Sequence, residues 1–256
     1  MGRIITIANQ KGGVGKTTTA INLSACLAEA GQHVMLVDFD PQGNASSGLG
    51  VEKEDYEHTV YDMMAEEADL DECLVKNIQD NLDVLPSDMN LAGAEIEFQE
   101  VEDKETLLKR YLDQVRDDYD FILIDCPPSL NILTINALTA ADTVLVPIQC
   151  EYYALEGLNQ VLKTVELVRK KLNPQLELEG VVFTMYDART NLSLQVVESV
   201  KSNLNQTIYK TIIPRNVRLA EAPSHGMSIN LYDTRSTGAE SYRMLAAEVM
   251  SRGEEL

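Results

Sequence analysis

Short apolar runs alternate with longer amphipathic segments along most of the chain. The apolar runs lack polar interruptions and are bounded by turn residues, which is typical of strands buried on both faces. They predict strands at residues 4–8, 34–37, 82–85, 121–124, 143–146 and 180–184. Segments with helical spacing predict helices at residues 17–29, 105–115, 132–139, 154–171, 192–204 and 238–252.

This alternation of strands and helices indicates repeated strand–helix–strand units, whose crossovers are almost always right-handed. The predicted fold class is therefore α/β, a three-layer α/β/α sandwich with a mostly parallel sheet. No linker rich in Pro, Gly or Ser divides the sequence, so we expect residues 1–256 to form a single domain. Residues 52–72 are strongly acidic and predict a surface loop with short helices, whereas residues 215–233 predict a long irregular and functional segment.

A glycine-rich loop follows the first predicted strand and leads directly into the first predicted helix. Its residues are Lys11, Gly12, Gly13, Val14, Gly15, Lys16, Thr17 and Thr18. Glycines let backbone N–H groups curl around an anion, and the helix start adds unpaired N–H groups with partial positive charge. In such a loop Lys16 reaches the β- and γ-phosphates and the Thr17 hydroxyl ligates Mg²⁺. The loop predicts a site for ATP and a P-loop NTPase-like fold.

The loop departs from the general pattern at its start. Gln10 stands where that pattern has its first glycine, and Lys11 follows it. Two lysines then bracket one phosphate loop, and both could hardly crowd the same oxygens in one subunit. We therefore expect Lys11 to reach the nucleotide of a second subunit, as in a homodimer.

Acidic residues follow two other predicted strands. Asp38 and Asp40 come after the second strand, and Asp125 ends the strand at residues 121–124. Ligands of open α/β sheets lie at the carboxyl ends of the strands, so these side chains should converge on the loop. We expect Asp125 to support Mg²⁺ directly or through water and Asp40 to orient the attacking water. The alternatives are that Asp38 caps a helix or a turn and that Asp125 only bonds to the loop.

The composition adds constraints on partners and location. The formal net charge of −20 opposes long-range attraction to nucleic acid and to anionic membranes, so DNA binding would need a local basic patch. The chain has 4 cysteines, far apart and without metal-ligand spacing, which fits a reducing cytosol. No signal peptide or apolar run of membrane-spanning length is evident, so we expect a cytoplasmic protein.

The motifs together resemble those of the ParA/Soj family of chromosome- and plasmid-partitioning ATPases, within the deviant P-loop group that includes MinD. Besides the loop, the resemblance rests on segments at residues 38–44, 125–129, 149–157 and 213–218, and it covers essentially the whole chain. It implies that ATP-bound subunits form a face-to-face dimer in which Lys11 contacts the partner's nucleotide. It also implies that the dimer binds double-stranded DNA without sequence preference, on the nucleoid.

The resemblance further implies roles for individual residues and for a protein partner. Lys11, Lys16 and Asp40 match the family's hydrolysis residues, while Pro214 and Asn216 match contacts to the adenine. Arg189 and Arg218 match DNA-binding arginines, for which a solvated charge or an internal salt bridge is the alternative. A ParB/Spo0J-like protein is the expected partner that stimulates hydrolysis and releases the ATPase from DNA.

Other functions compete with partitioning. A MinD-like, membrane-associated division-site ATPase would carry a basic amphipathic C-terminal helix, whereas residues 245–256 are acidic. An iron–sulfur ATPase would need cysteines that meet at a dimer axis, and neither Cys126 nor Cys150 belongs to a paired motif. A small-molecule kinase is disfavoured by Lys11. These features favour partitioning, without interaction with a membrane.

Overall fold

The apolar runs of the sequence form the centre of one sheet. The computed structural model describes residues 2–151, 154–204 and 208–253. Its strands are β1 (Arg3–Ile7), β2 (Val34–Asp38), β3 (Val75–Gln79), β4 (Leu82–Leu85), β5 (Phe121–Asp125), β6 (Thr143–Gln149), β7 (Glu177–Tyr186) and β8 (Ile208–Pro214). They join in the order β3-β4-β2-β5-β1-β6-β7-β8, and every pair is parallel except β3 with β4.

Helices cover both faces of this sheet. They are α1 (Lys16–Glu29), α2 (Asn44–Gly48), α3 (Val60–Met64), α4 (Leu70–Cys73), α5 (Ala94–Glu97), α6 (Leu107–Val115), α7 (Ile132–Ala140), α8 (Ala154–Lys171), α9 (Asn191–Asn203), α10 (Val217–Glu221), α11 (Ile229–Tyr232) and α12 (Thr237–Gly253). Short 3₁₀ turns lie at Lys53–Asp55, Met89–Gly93, Phe98–Glu100, Lys104–Thr106, Arg116–Asp118 and Ala222–His225. In the described part of the chain, no helix is both long and apolar enough to cross a bilayer.

Two buried apolar clusters hold the layers together, one on each face of the sheet. One cluster joins the strands to α6, α7, α8 and α9, and the other joins them to α1 and α12. In β1, Ile4 packs into the first cluster while Ile5 and Ile7 pack into the second, because successive side chains of a strand point to opposite faces. The predicted α/β/α sandwich with a mostly parallel sheet is confirmed.

The prediction missed two strands, and both are edges of the sheet. β3 at one edge has no buried residue and only two strongly apolar side chains, Val75 and Ile78. β8 at the other edge alternates buried and less buried positions, with Tyr209, Thr211 and Ile213 inward. Edge strands are covered incompletely by helices, so neither has the continuous apolar run that marked the interior strands.

The expectation that residues 215–233 lack regular structure was wrong. α10 and α11 both lie in this segment, with the 3₁₀ turn Ala222–His225 between them. Each helix is 4 or 5 residues long, which is too short for a helical period to show in the sequence. The Asn216 side chain caps α10 by accepting a hydrogen bond from the N–H of Arg218.

Candidate functional site

The glycine-rich loop and the acidic residues meet where three neighbouring strands end. β5 lies between β1 and β2, so Asp125 pairs in register with Ile7 on one side and with Asp38 on the other. β1 continues directly into the loop at its carboxyl end. The convergence expected from the sequence is therefore present in the structure.

The backbone of the loop is open to an anion. Gly13 and Gly15 have φ angles of 73° and 88°, in the left-handed region that favours glycine. Gly15 is the N-cap of α1, where it offers no side-chain cap, and the first turn of the helix has no acidic residue. The first N–H groups of α1 are thus left for a ligand, as a phosphate-binding helix start requires.

The two lysines of the loop occupy different environments. Lys16 is only 6% exposed, and its ammonium donates to the carbonyl of Lys11 at 3.3 Å. Burial lowers the pKa of Lys16, while the Asp125 carboxylate is the largest influence that opposes this shift. The Lys11 side chain is 36% exposed, and its ammonium forms a salt bridge with Glu151 at 2.7 Å. Lys16 faces the loop, whereas Lys11 is held at its rim.

Asp125 is a buried carboxyl group at the carboxyl end of β5. It is completely buried, and neither of its oxygens has a hydrogen-bond partner among the described residues. Burial raises the pKa of Asp125 well above its ordinary value and Asp38 adds to the rise, although the nearby Thr17 hydroxyl and Lys16 oppose it. A buried carboxyl that is left unpaired is costly and needs an explanation. Beside the Thr17 hydroxyl, it suits a hard divalent cation such as Mg²⁺, which prefers oxygen ligands.

Asp38 has the structural role that the sequence left open. One carboxyl oxygen of Asp38 accepts hydrogen bonds from the N–H and the hydroxyl of Ser46, each at 2.8 Å. Burial raises the pKa of Asp38 to about 6, against the effect of these Ser46 bonds. Asp38 therefore fastens the end of β2 to α2 and shapes the turn between them.

Asp40 lies in that turn, and the described residues use only part of the hydrogen-bond acceptor positions of its carboxylate. It is 7% exposed, and one carboxyl oxygen accepts a hydrogen bond from the N–H of Gln42 at 3.0 Å. The Asp40 carboxylate is one of the charges that raise the pKa of Lys16, which indicates that it lies near the Lys16 ammonium. This position is compatible with orienting a water molecule beside the loop.

A pocket of about 210 Å³ adjoins the loop on the side of β7 and β8. Pro214 and Asn216 lie in its wall together with Gly15 and Thr18, so the two residues expected at the adenine are brought next to the phosphate site. The amide of Asn216 donates to the Thr237 hydroxyl at 2.8 Å, which anchors this wall to α12. The pocket continues the phosphate loop as a base site of a nucleotide would.

Several residues of this pocket were missed from the sequence. They are Thr184, Met185, Ile213, Arg215, Leu219, Ala220 and Tyr242. One available signal was the carboxyl end of β7, where ligands of parallel sheets bind; the prediction ended this strand at residue 184, whereas it extends to Tyr186. Met185 has a φ angle of 50°, unusual for a residue with a side chain and frequent at ligand sites.

The two arginines expected to bind DNA are exposed but already paired. The Arg189 side chain is 86% exposed and makes two hydrogen bonds to Asp187, at 2.9 and 2.7 Å. Arg218 contacts Glu221 at 2.8 Å and Asp233 at 3.5 Å. The structure therefore shows the internal salt bridges that the sequence had left as the alternative.

The cysteines are buried thiols, and the 149–157 segment contributes Glu151, the salt-bridge partner of Lys11. Cys26, Cys73, Cys126 and Cys150 are free thiols in buried positions, and burial is the main cause that raises the pKa of each. Among the described residues, no group of three or more His, Cys, Asp or Glu side chains could hold a metal ion. Tyr152 and Tyr153 of the family-like segment lie outside the described residues.

Comparisons with known proteins agree with this geometry. A protein family described as an AAA domain matches residues 2–178. The chain is 60% identical over 253 residues to the sporulation initiation inhibitor protein Soj of Bacillus subtilis, covering 99% of this chain and 100% of that protein. It is 52% identical over 252 residues to the chromosome-partitioning ATPase Soj of Treponema pallidum, covering 98% of each.

A solved structure shares both the fold and a third of the sequence. Cobyrinic acid a,c-diamide synthase from Mycobacterium smegmatis, with bound ADP and magnesium, gives a TM-score of 0.88 at 36% identity, covering 99% of this chain and 96% of that one. The full-length identity to the Soj proteins, together with the loop and its two lysines, fixes the assignment. The chain belongs to the ParA/Soj family of chromosome-partitioning ATPases.

Proposed function

We propose that this chain is an ATP-dependent switch for DNA partitioning, formed by residues 1–256 as one domain. ATP-bound subunits pair face to face, the pair binds double-stranded DNA without sequence preference, and hydrolysis separates it from the DNA. A ParB/Spo0J-like partner stimulates the hydrolysis. The names of the close relatives support partitioning over a MinD-like role at a membrane.

The loop and its neighbours supply the nucleotide site. The N–H groups of the loop and the Lys16 ammonium bind the phosphates, and the pocket beside Pro214 and Asn216 receives the adenine. Thr17 and Asp125 would hold Mg²⁺, directly or through water. When bound, Mg²⁺ neutralises charge that develops on the phosphate oxygens. The unpaired, buried carboxyl of Asp125 is the main support for this placement.

Hydrolysis requires a water molecule held in line with the terminal phosphate. Asp40 orients this water, since its carboxylate lies near Lys16 and keeps acceptor positions that no described residue uses. Lys16 stabilises the charge on the transferred phosphoryl group from within the same subunit. Lys11 adds a second cation from the opposite subunit, so hydrolysis is completed only in the pair.

The contrast between the two lysines is the observation that carries the proposal. Lys16 is buried against the carbonyl of Lys11, while the Lys11 ammonium points out to Glu151 at the rim of the site. An ammonium held at the rim is placed for a nucleotide that faces it from another subunit. The salt bridge to Glu151 is part-exposed on both sides, so exchanging it for a phosphate contact costs little.

Replacing Lys11 tests the pairing directly. We expect Lys11→Ala to bind ATP with about wild-type affinity, because Lys16 and the loop amides remain, but to stay monomeric. Size-exclusion chromatography with ATP and titration with a fluorescent ATP analogue measure these two properties. Lys76→Ala is a matched control, since Lys76 also forms a surface salt bridge, with Asp71 at 3.0 Å. An ATP-dependent dimer of Lys11→Ala would contradict the role given to Lys11.

DNA binding requires a local excess of positive charge on an acidic chain. Arg189, Arg215 and Arg218 gather around the ends of β7 and β8, and Arg215 lies close enough to Asp187 to contribute to lowering its pKa. The salt bridges of Arg189 and Arg218 are exposed, so phosphate groups of DNA can compete for the guanidinium groups. Dimerisation doubles the number of contacts, and the logarithm of the affinity scales with that number.

Reversing one of these charges tests the DNA site. We expect Arg218→Glu to lose ATP-dependent retention on nonspecific DNA, with an affinity at least about tenfold lower, because each subunit loses one phosphate contact and gains a repulsion. Filter binding in a salt series measures the effect. Arg110→Glu, which makes the same charge change on α6, controls for net charge. Equal losses in both variants would remove Arg218 from the site.

The proposed function as a whole is tested by one assay on the wild-type chain. Retention on DNA is measured with ATP, with ADP and without nucleotide. The switch predicts retention only with ATP, and release when a ParB/Spo0J-like protein is added. Retention that is equal in all three conditions, or that never occurs, would contradict it.

A further inference from the structure

A buried hydroxyl group from β7 holds the phosphate loop from behind. The Thr184 hydroxyl donates a hydrogen bond of 2.7 Å to the carbonyl of Val14. Thr184 and Val14 are each 2% exposed, so this bond is sheltered from water. A Cβ added at Gly15 would lie 3.7 Å from the Thr184 methyl, which places that methyl against the loop as well. Thr184 thus contacts two successive residues of the loop.

This contact fixes the direction of one peptide group. The carbonyl of Val14 and the N–H of Gly15 belong to the same planar, trans peptide, so they point in opposite directions. Because Thr184 holds the carbonyl toward β7, the N–H of Gly15 is turned away from β7. The loop is rich in glycine, with left-handed residues at Gly13 and Gly15, so its backbone has wide rotational freedom that the Thr184 bond restricts.

We propose that Thr184 is a positioning residue for nucleotide binding, which acts by orienting the Gly15 N–H toward a bound phosphate. The inference rests on the proposed function, since it assumes that the loop binds the phosphates of ATP. Thr184 does not touch the phosphate itself. Its hydroxyl sets the loop in its binding conformation before the nucleotide arrives, so that less ordering remains to oppose binding.

The position of Thr184 in its strand makes it a stable anchor. Its own carbonyl accepts a hydrogen bond from the N–H of Cys150 at 3.4 Å, which ties the end of β7 to β6. The next residue, Met185, has a φ angle of 50° and lies in the wall of the base pocket. One corner of β7 therefore supports the phosphate loop with Thr184, and both Thr184 and Met185 lie in the wall of the base pocket.

Two substitutions separate the hydroxyl from the methyl. Thr184→Val keeps the shape but removes the donor, leaving the buried carbonyl of Val14 unpaired, and Thr184→Ser keeps the donor. We expect the affinity for ADP to fall about tenfold in Thr184→Val and less than about twofold in Thr184→Ser. Titration of monomeric protein with fluorescent ADP measures the affinity, and thermal unfolding is recorded for each variant.

Thr6→Val is the matched control, because the Thr6 hydroxyl is equally buried and donates to the carbonyl of Ala137 at 2.9 Å. It should lose stability but keep ADP affinity. Wild-type affinity in Thr184→Val, or an equal loss in Thr184→Ser and Thr184→Val, would overturn the inference. If Thr184→Val does not fold, the Thr184→Ser variant still tests the inference. A loss of ADP affinity of about tenfold in folded Thr184→Ser would overturn it. Failure of the wild-type chain to bind ADP or ATP would instead overturn the proposed function.

Discussion

Lys16→Ala is expected to lose ATP hydrolysis almost completely, by about a thousandfold. Lys16 is the buried cation of the loop, and its ammonium lies beside the Lys11 carbonyl at the entrance to α1. Without it, the phosphates have only backbone N–H groups from this subunit to balance their charge. The loss should appear in both the affinity for ATP and the rate, measured by fluorescent-nucleotide titration and by phosphate release.

Stability must be checked in the same experiment, since Lys16 also offsets the charge of Asp125 and Asp40. A thermal unfolding midpoint near that of the wild type would show that the variant is folded. Lys11→Ala serves as the comparison within the loop, because it should keep the affinity for ATP while losing dimerisation and, with it, hydrolysis. Turnover of Lys16→Ala within about tenfold of wild type would refute the assignment of Lys16.

Asp40→Ala is expected to bind ATP normally and to hydrolyse it about a hundredfold more slowly. The Asp40 carboxylate accepts from the N–H of Gln42 and is placed beside the loop without supplying a phosphate donor. In the proposed site, its removal takes away the group that orients water but leaves the groups that bind phosphate. The ATP-bound dimer should persist on size-exclusion chromatography for longer than that of the wild type.

The Asp40→Asn variant distinguishes the structural role of Asp40 in the turn from its proposed role in hydrolysis. Asparagine still offers an oxygen to the Gln42 N–H, so the turn is kept, but it lacks the negative charge that orients and activates water. We expect it to be as slow as Asp40→Ala. A fast Asp40→Asn variant would assign Asp40 to the turn alone, and an Asp40→Ala variant that stays monomeric with ATP would contradict its proposed role.

The proposed switch would combine weak individual contacts into a response to ATP. The Lys11 salt bridge and the arginine salt bridges are all exposed enough to exchange partners. None of them needs to be strong, because pairing of two subunits brings both copies of each contact into play at once. Under the proposal, an acidic chain with a small basic surface binds DNA only as a pair, and its DNA affinity is expected to fall steeply with salt.

Asp38 and Asp125 show how far the sequence could assign roles. Both follow apolar strands, and both were expected near the loop, with a structural and a functional reading open for each. Only the structure separates them, because Ser46 donates twice to Asp38 while neither oxygen of Asp125 has a partner among the described residues. The distinction depends on neighbours that lie outside the motif of either residue.

The sequence by itself determined the interior strands, the long helices and the phosphate loop. Buried parallel strands require continuous apolar runs, amphipathic helices require their period, and a loop that binds phosphate requires glycines followed by a helix start. These requirements act over a few neighbouring residues, so they leave a local pattern. That is why the boundaries of α1 and β5 differ from the prediction by a single residue.

Only the tertiary structure decided the edges of the sheet, the pairing of the arginines and the support behind the loop. β3 and β8 are strands because their neighbours offer them hydrogen bonds, and Arg218 is paired because Asp233 is brought beside it. Thr184 and Val14 are 170 positions apart in the chain, and no spacing rule connects them. Contacts of this kind arise from the packing of whole elements, and packing is a property of the complete fold.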